Sequence, residues 1–298
     1  MLHSSVTASE KRSQLRARIS SGEILVIPGA FNPLTAMLIA RKGFEAVYVS
    51  GAVLAADLGL PDVGLTTLGE VAGRTSQITR VSDLPTIVDA DTGFGDAMNV
   101  ARATQSLEDA GAAGMHIEDQ VNPKRCGHLD GKEVVDLDVA LQRIRASVEA
   151  RRDPNFLIIA RTDIRAVEDL SAAIDRARAY ADAGADAVFP EALLGLGEFE
   201  TMRRAIDVPI LANATEFGKG DMLNAATLND LGINIVIFPV SLLRLAMRAA
   251  EVGLDVLRGE GGFESVLPQM QTRAELYDLL EYSSYATLDE KVFNFKLS

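Results

Sequence analysis

The only cysteine of this 298-residue chain lies among cations, in the run Lys124-Arg125-Cys126-Gly127-His128. Positive neighbours favour the thiolate form of a cysteine, and a glycine beside it leaves room for a ligand. The alternative interpretation is a surface loop that carries an unreactive cysteine. We take Cys126 as a candidate for proton transfer, with Lys124 and His128 as candidate catalytic neighbours.

Two aspartates and a glutamate offer oxygen ligands upstream of this run. Asp89 and Asp91 are two positions apart, so on an extended segment their carboxylates leave the same face and can share one cation. Two carboxylates suit Mg²⁺, which keeps several of its waters, and Mn²⁺ is a possible substitute. Glu118 would be a third acid, bound directly or through water. The alternative is a turn in which Asp91 bonds to its own backbone.

The elements that must position these residues follow a βα repeat. Short β-branched segments alternate with amphipathic segments that are long enough for helical crossovers. We predict strands at residues 24–28, 46–50, 86–90, 114–118, 157–161, 186–190, 209–213 and 234–238. Helices are predicted at, among others, residues 137–151, 170–183, 241–258 and 272–282. The pattern predicts one α/β domain over residues 1–298, a (β/α)8 barrel with a C-terminal helical segment from about 241 to 298.

Polar residues lie at or just after the carboxyl ends of six predicted strands. They are Ser50, Asp89, Glu118, Arg161, Glu191 and Asn213. Barrel enzymes build their active sites on this rim, and six residues of mixed chemistry fit helix capping poorly. Tyr48 shares a face with Ser50. A strand tyrosine usually packs in the core, but near a metal its phenol can transfer a proton.

The composition excludes several classes of function. The formal net charge of −13 argues against a nucleic-acid partner, and it requires any site for an anionic substrate to concentrate its cations locally. No apolar run approaches the roughly 18 residues of a membrane span, and the first 20 residues lack the apolar segment of a signal peptide. With one cysteine, we expect a cytoplasmic protein. Three histidines are too scattered for a zinc cluster.

These motifs together resemble the isocitrate lyase/phosphoenolpyruvate mutase superfamily, and within it the methylisocitrate lyase family. The K-R-C-G-H run is the lyase signature of the superfamily, and the resemblance extends from about residue 27 to residue 285. It implies Mg²⁺-dependent cleavage of (2S,3R)-2-methylisocitrate, a small tricarboxylate, to pyruvate and succinate in the methylcitrate route for propionate. It also implies a homotetramer, a dimer of dimers in which paired subunits exchange a C-terminal helix.

The resemblance also assigns roles to residues. Asp89 and Asp91 hold the magnesium. Substrate contacts are implied for Ser50, Gly51, Ala52, Asp62, Gly127, Arg161, Glu191, Asn213, Ala214, Thr215, Arg244 and Arg273. Ala52 stands where methylisocitrate lyases often have glycine, and a simple turn is the alternative role for Asp62. Phe189, Ile237 and Pro239 lie where the family lines a pocket for the methyl group, although such residues usually pack in a core.

The implied chemistry is a retro-aldol cleavage. A base takes the proton of the substrate hydroxyl, and we choose Tyr48 ahead of a water held by Glu118. Cys126 then protonates the succinate carbanion. Its cationic neighbours would lower the pKa of the thiol, so we expect the bound tricarboxylate to offset them.

Other functions remain open at this point. Isocitrate lyase and 2,3-dimethylmalate lyase share the metal and the thiol, although isocitrate lyases are usually much longer. Phosphoenolpyruvate mutase, phosphonopyruvate hydrolase and oxaloacetate decarboxylase relatives usually lack the cysteine. A non-catalytic barrel that binds carboxylates is an alternative from another class.

Overall fold

The computed structural model describes residues 4–125, 131–218 and 223–294. The strands are β1 (Leu25–Pro28), β2 (Val47–Val49), β3 (Thr86–Asp89), β4 (Gly114–Glu118), β5 (Leu157–Thr162), β6 (Ala187–Pro190), β7 (Leu211–Asn213) and β8 (Ile235–Phe238). The helices are α1 (Ala8–Ile19), α2 (Pro33–Arg41), α3 (Gly51–Asp57), α4 (Leu68–Thr79), α5 (Ala97–Asp109), α6 (Leu137–Ala150), α7 (Leu170–Asp182), α8 (Leu196–Ala205), α9 (Ala225–Asp230), α10 (Ser241–Glu260), α11 (Arg273–Leu279) and α12 (Tyr282–Phe293). The predicted site residues Cys126, Gly127 and His128 lie outside the described residues.

The eight strands close into a barrel. Strands β2 to β6 pair in chain order, and β8 pairs with both β1 and β7. Single parallel contacts join the two groups, Gly29 with Tyr48 and Val188 with Ile210. All pairings between strands are parallel, so all carboxyl ends open on one rim. The predicted (β/α)8 fold is confirmed.

Apolar side chains from the strands fill the barrel, and α1 closes its amino-terminal end. The interior cluster contains Leu25, Ile27, Tyr48, Ile87, Leu157, Ile159, Phe189, Leu211, Ile235 and Ile237. Leu15 and Ile19 of α1 belong to the same cluster. Burial of each large aliphatic side chain stabilises the fold by about 1.5–3 kcal/mol. The chemistry is thereby restricted to the opposite, carboxyl end.

Most predicted helices are confirmed, but the C-terminal run is wrong in one respect. The prediction of one helix over residues 272–282 fails, because α11 ends at Leu279 and α12 begins at Tyr282. Glu281 between them has φ of 53°, a left-handed conformation that cannot continue a right-handed helix. The segment therefore folds as two short helices.

Helix α10 exposes an unusually apolar surface in the single chain. None of its residues is buried, and Leu245, Met247 and Leu254 are each at least 60% exposed. No helix among the described residues combines the length and the apolar character that a membrane crossing requires.

Candidate active site at the carboxyl rim

A cavity of about 310 Å³ opens at the carboxyl ends of the strands. It brings together many of the predicted residues, namely Tyr48, Ser50, Ala52, Asp62, Asp89, Glu118, Lys124, Arg161, Phe189, Asn213, Thr215, Ile237, Pro239 and Arg244. Arg125, Glu216, Phe217 and Val240 complete its wall. The lining carries both kinds of charge, with the four cations Lys124, Arg125, Arg161 and Arg244 and the four acids Asp62, Asp89, Glu118 and Glu216.

The two aspartates predicted to bind a metal converge on Gly51. Asp89 Oδ2 accepts the N–H of Gly51 at 3.0 Å, and its Oδ1 accepts the N–H of Asp91 at 3.0 Å. Asp91 has φ of 45°, so the premise of an extended segment is wrong and a turn aims its carboxylate instead. A β-carbon added to Gly51 would lie 3.0 Å from Asp89 Oδ2 and 3.1 Å from Asp91 Oδ1. Hard oxygens gathered at one point fit a divalent cation such as Mg²⁺.

Glu118 does not complete a three-ligand cluster. No group of three or more His, Cys, Asp or Glu side chains in the described ranges is arranged to hold a metal ion. Glu118 Oε2 lies 3.3 Å from Arg161 Nε, and Oε1 is buried with no hydrogen-bond partner in the described part of the chain. Burial raises the pKa of Glu118 well above its usual value, although Arg161 opposes this. The role of Glu118 toward a metal, direct or through water, therefore stays a prediction.

The ammonium group of Lys124 lies among the acids. Its Nζ is 2.6 Å from Asp91 Oδ1, and it also contacts Asp62 Oδ1. Burial and the neighbouring Asp89 raise the pKa of Asp91 to about 6, against the effect of Lys124. A cation bound here would lower that pKa again.

Asp89 is the more strongly ionised member of the pair. Burial opposes its ionisation, but His116, Lys124 and Arg161 outweigh burial and lower its pKa. Burial itself lowers the pKa of His116 to about 4, so this imidazole is neutral near pH 7. Lys124 and Arg161 therefore supply the positive charge that acts on Asp89 at neutral pH.

Tyr48 is paired with His116, a partner that the sequence analysis missed. The phenol oxygen lies 2.6 Å from His116 Nε2, and the two residues are 2% and 0% exposed. Burial, with Asp89 adding to it, raises the pKa of Tyr48 well above its usual value. The phenol keeps its proton and the imidazole is neutral, so the tautomer of His116 decides whether Tyr48 donates to Nε2 or accepts from it. His116 precedes Glu118 by two positions on β4, and this shared face was the available signal.

Arg161 is held by a second missed residue, Asp163. Arg161 Nε donates to Asp163 Oδ2 at 2.9 Å, and Nη2 donates to Oδ1 at 3.1 Å. The guanidinium carbon also lies 5.1 Å from the centre of the Phe189 ring. Asp163 follows Arg161 by two positions at a strand end, so the same spacing rule identifies it.

The opposite wall carries amide, carboxylate and guanidinium groups. Asn213, the last residue of β7, lines the cavity and donates from Nδ2 at 3.3 Å to Oε2 of Glu191, which follows β6 and does not line the cavity itself. Arg244 on α10 lies 3.4 Å from Thr215 Oγ1 and 2.8 Å from Glu216 Oε2. Glu216 was also missed, because only the fold brings it to Arg244. These groups can bind carboxylate and hydroxyl oxygens of a ligand.

The remaining predicted residues divide into two groups. Phe189, Ile237 and Pro239 form an apolar part of the cavity wall. Ser50 lines the cavity and also caps α3 through the N–H of Val53 at 3.4 Å. Buried Ala214 and Gly51 flank the cavity residues Asn213 and Ser50, although neither lines the wall itself. Arg273 is exposed at the start of α11 and does not line the cavity in the single chain.

Comparison with known sequences identifies close relatives. Residues 15–256 match the family model described as phosphoenolpyruvate phosphomutase. A probable 2-methylisocitrate lyase of Corynebacterium glutamicum is 55% identical over 99% of this chain and 96% of its own length. The 2-methylisocitrate lyase of Escherichia coli is 47% identical over 94% of both chains.

Solved structures of the same architecture superpose on nearly the whole chain. A 2,3-dimethylmalate lyase, described as a member of the PEP mutase/isocitrate lyase superfamily, has a TM-score of 0.89 and 33% identity, covering 98% of this chain and 99% of its own. A phosphonopyruvate hydrolase in complex with oxalate and Mg²⁺ has a TM-score of 0.87 and 28% identity, covering 95% and 99%.

Proposed function

This chain belongs to the phosphoenolpyruvate mutase/isocitrate lyase superfamily and is a lyase, and we propose that it cleaves 2-methylisocitrate to pyruvate and succinate. The observation that carries the proposal is the nearly full-length match to relatives named 2-methylisocitrate lyase. The cavity supports it, because acids, cations and an apolar wall occur together there. We also propose a cytoplasmic location, since a single cysteine fits a reducing compartment.

Asp89 and Asp91 would hold the divalent metal, Mg²⁺ or Mn²⁺. When bound, the ion supplies Lewis acidity that lowers the pKa of the substrate hydroxyl. Gly51 leaves space for this arrangement, because a β-carbon there would crowd both carboxylates.

Tyr48 is our choice as the group that accepts the hydroxyl proton. Its phenol is already protonated, so it can accept that proton only as it passes its own to Nε2 of His116. The neutral imidazole has one unprotonated nitrogen that can take this proton, but burial lowers its pKa to about 4 in the folded protein without substrate, so it is a weak base there. Water held by Glu118 is the alternative base. The C–C bond between the hydroxyl carbon and its neighbour then breaks, giving pyruvate and the carbanion of succinate.

The cations hold the carboxylates and the charge that develops during cleavage. Arg161 and Arg244 line the cavity from different sides, so one tricarboxylate can contact both. Asn213, Glu191 and His128 would orient the succinate portion, and Cys126 would donate a proton to its carbanion. That final proton completes succinate.

A product assay tests the proposal. Purified protein with 2-methylisocitrate and Mg²⁺ should form pyruvate and succinate in equal amounts. EDTA should abolish turnover, and Mg²⁺ or Mn²⁺ should restore it. Asp89→Ala should be folded and inactive, whereas Asp109→Ala is the control, because Asp109 is exposed and pairs with Arg152 away from the cavity. Full activity in excess chelator would contradict the metal site.

A further inference from the structure

Behind the cavity wall, one buried carboxylate is shared by two cations. Asp163 Oδ1 lies 2.7 Å from Lys132 Nζ and 3.1 Å from Arg161 Nη2, and Oδ2 lies 2.9 Å from Arg161 Nε. The side chains of Lys132 and Asp163 are 2% and 0% exposed. Arg161 lines the cavity, but Lys132 and Asp163 do not. Among these three residues, Arg161 is thus the one that lines the cavity.

Asp163 is itself fixed by the backbone and by a neighbouring acid. Its N–H donates to Asp119 Oδ1 at 2.9 Å, and Asp119 Oδ2 accepts hydrogen bonds from Thr162 at 2.6 Å and Tyr180 at 2.7 Å. Burial opposes ionisation of Asp163, but Arg161 and Lys132 lower its pKa below the usual value. Asp163 is therefore a fixed negative charge.

Asp163 also determines which part of the Arg161 guanidinium is available to a ligand. Nε and Nη2 of Arg161 are bound to it, and the Phe189 ring lies 5.1 Å from the guanidinium carbon. These contacts fix both the edge and the face of the group. A guanidinium held in one plane binds a carboxylate with a smaller loss of side-chain freedom.

We propose that Lys132 and Asp163 are positioning residues for Arg161, with Asp163 fixing its orientation and Lys132 preserving its positive charge toward an anionic substrate. Asp163 alone would neutralise Arg161. With Lys132 included, the three groups carry two positive charges and one negative charge, a sum of +1 that does not count Glu118, whose Oε2 lies 3.3 Å from Arg161 Nε. The inference rests on the proposed function only in that the substrate is a polycarboxylate.

Three variants distinguish the effect of the net charge of these three groups from the effect of the orientation of Arg161. Lys132→Met lowers the net charge of the group from +1 to 0, Asp163→Asn raises it to +2, and the double variant returns it to +1. We expect KM for 2-methylisocitrate to rise at least about tenfold in Lys132→Met and to recover toward the wild-type value in the double variant. We expect kcat to fall about 10–100-fold in both variants that carry Asp163→Asn, because Arg161 loses its fixed orientation.

Lys11→Met is the matched control. Lys11 is equally buried, but its Nζ donates to the carbonyls of Thr79 and Ser82 at 2.8 Å and 2.6 Å, at the closed end of the barrel. It should lower the melting temperature and leave KM unchanged. If Lys132→Met does not fold, the double variant, in which position 163 no longer carries a carboxylate, is compared with Asp163→Asn, and its KM should be the higher of the two.

Failure of this inference can be distinguished from failure of the proposed function. An unchanged KM in folded Lys132→Met, or a double variant with the same KM as Asp163→Asn, would overturn the inference. Absence of pyruvate with the wild-type protein would instead overturn the proposed function. The same variants are then ranked by calorimetric affinity for oxalate with Mg²⁺, where Lys132→Met should bind most weakly and equal affinities would overturn the inference.

Discussion

Three buried carboxyl groups at the carboxyl rim, Asp89, Asp91 and Glu118, hold their protons with different strength, because their neighbours differ. Burial raises the pKa of Glu118, and burial with Asp89 raises that of Asp91 to about 6. Burial has the same effect on Asp89, but neighbouring positive charge outweighs it. Groups of the same type can thus act as metal ligand and as proton holder within one site.

At this scale the first prediction concerns Cys126. Cys126→Ser removes the acidic thiol with little change in volume, so we expect kcat to fall about 100-fold or more. Substrate affinity should remain, because the carboxylate-binding arginines are unchanged. Stopped-flow kinetics and calorimetric titration would measure both quantities. A variant with normal turnover would show that the cysteine is only a loop residue.

Residue types and spacing predicted part of the site and missed the rest for a physical reason. Asp89, Glu118 and Arg161 were predictable, because polar groups at strand ends have few structural roles on a barrel rim. His116 was missed as the partner of Tyr48, since the two are 68 positions apart in sequence and lie on β2 and β4, which are brought close on either side of β3 by the fold alone. Lys132 was missed because its partner Asp163 depends on the packing behind the rim.

At the scale of elements, one end of the barrel is closed and the opposite, carboxyl end carries the candidate active site. Helix α1 closes the amino-terminal end, where Lys11 and Arg12 satisfy backbone carbonyls. The strand pattern predicted this architecture, because eight β-branched segments fit eight βα units. The break at Glu281 was not predictable, because its left-handed conformation follows from tertiary packing rather than helix propensity.

The segment before α1 gives a prediction that depends on pH. Asp83 accepts hydrogen bonds from Ser4 and Ser5 that outweigh burial and lower its pKa to about 2. A folded-state pKa below the unfolded value of about 3.9 means that the stabilisation is complete above that value and is lost as the pH falls toward 2. We expect Asp83→Asn to speed hydrogen exchange of the Ser5 amide at pH 7 without affecting kcat. Unchanged exchange would contradict this anchoring role.

At the scale of the whole molecule, two surface features matter: the distribution of charge and the exposed apolar area of the C-terminal helices. The chain carries a net charge of −13, yet Lys124, Arg125, Arg161 and Arg244 line one cavity beside four acids and can pair with the carboxylates of a polyanion there. Helices α10 and α12 have no buried residues and expose several large apolar side chains. Apolar area of this kind usually marks an interface.

We therefore predict a homotetramer built as a dimer of dimers, with exchanged C-terminal helices. Leu254 on α10 is 65% exposed, and Leu254→Glu should yield smaller species by light scattering at micromolar concentration. Met98→Glu is the control, because Met98 is 81% exposed on α5. A wild-type monomer would refute the assembly.

The choice between methylated and unmethylated substrate depends on an apolar wall of the cavity. Phe189, Ile237 and Pro239 form the apolar wall that would receive the methyl group of 2-methylisocitrate. One methyl in such a pocket is worth about 1–3 kcal/mol, or roughly 10–200-fold in kcat/KM. Enlarging the wall with Ile237→Phe should reduce the preference, because the methylated substrate is penalised more.

The most direct test compares kcat/KM for 2-methylisocitrate and isocitrate with the same wild-type protein, with pyruvate and glyoxylate measured separately. We predict a preference of roughly 10–200-fold for 2-methylisocitrate, with slow release of glyoxylate from isocitrate. An equal or higher kcat/KM on isocitrate would contradict the assignment.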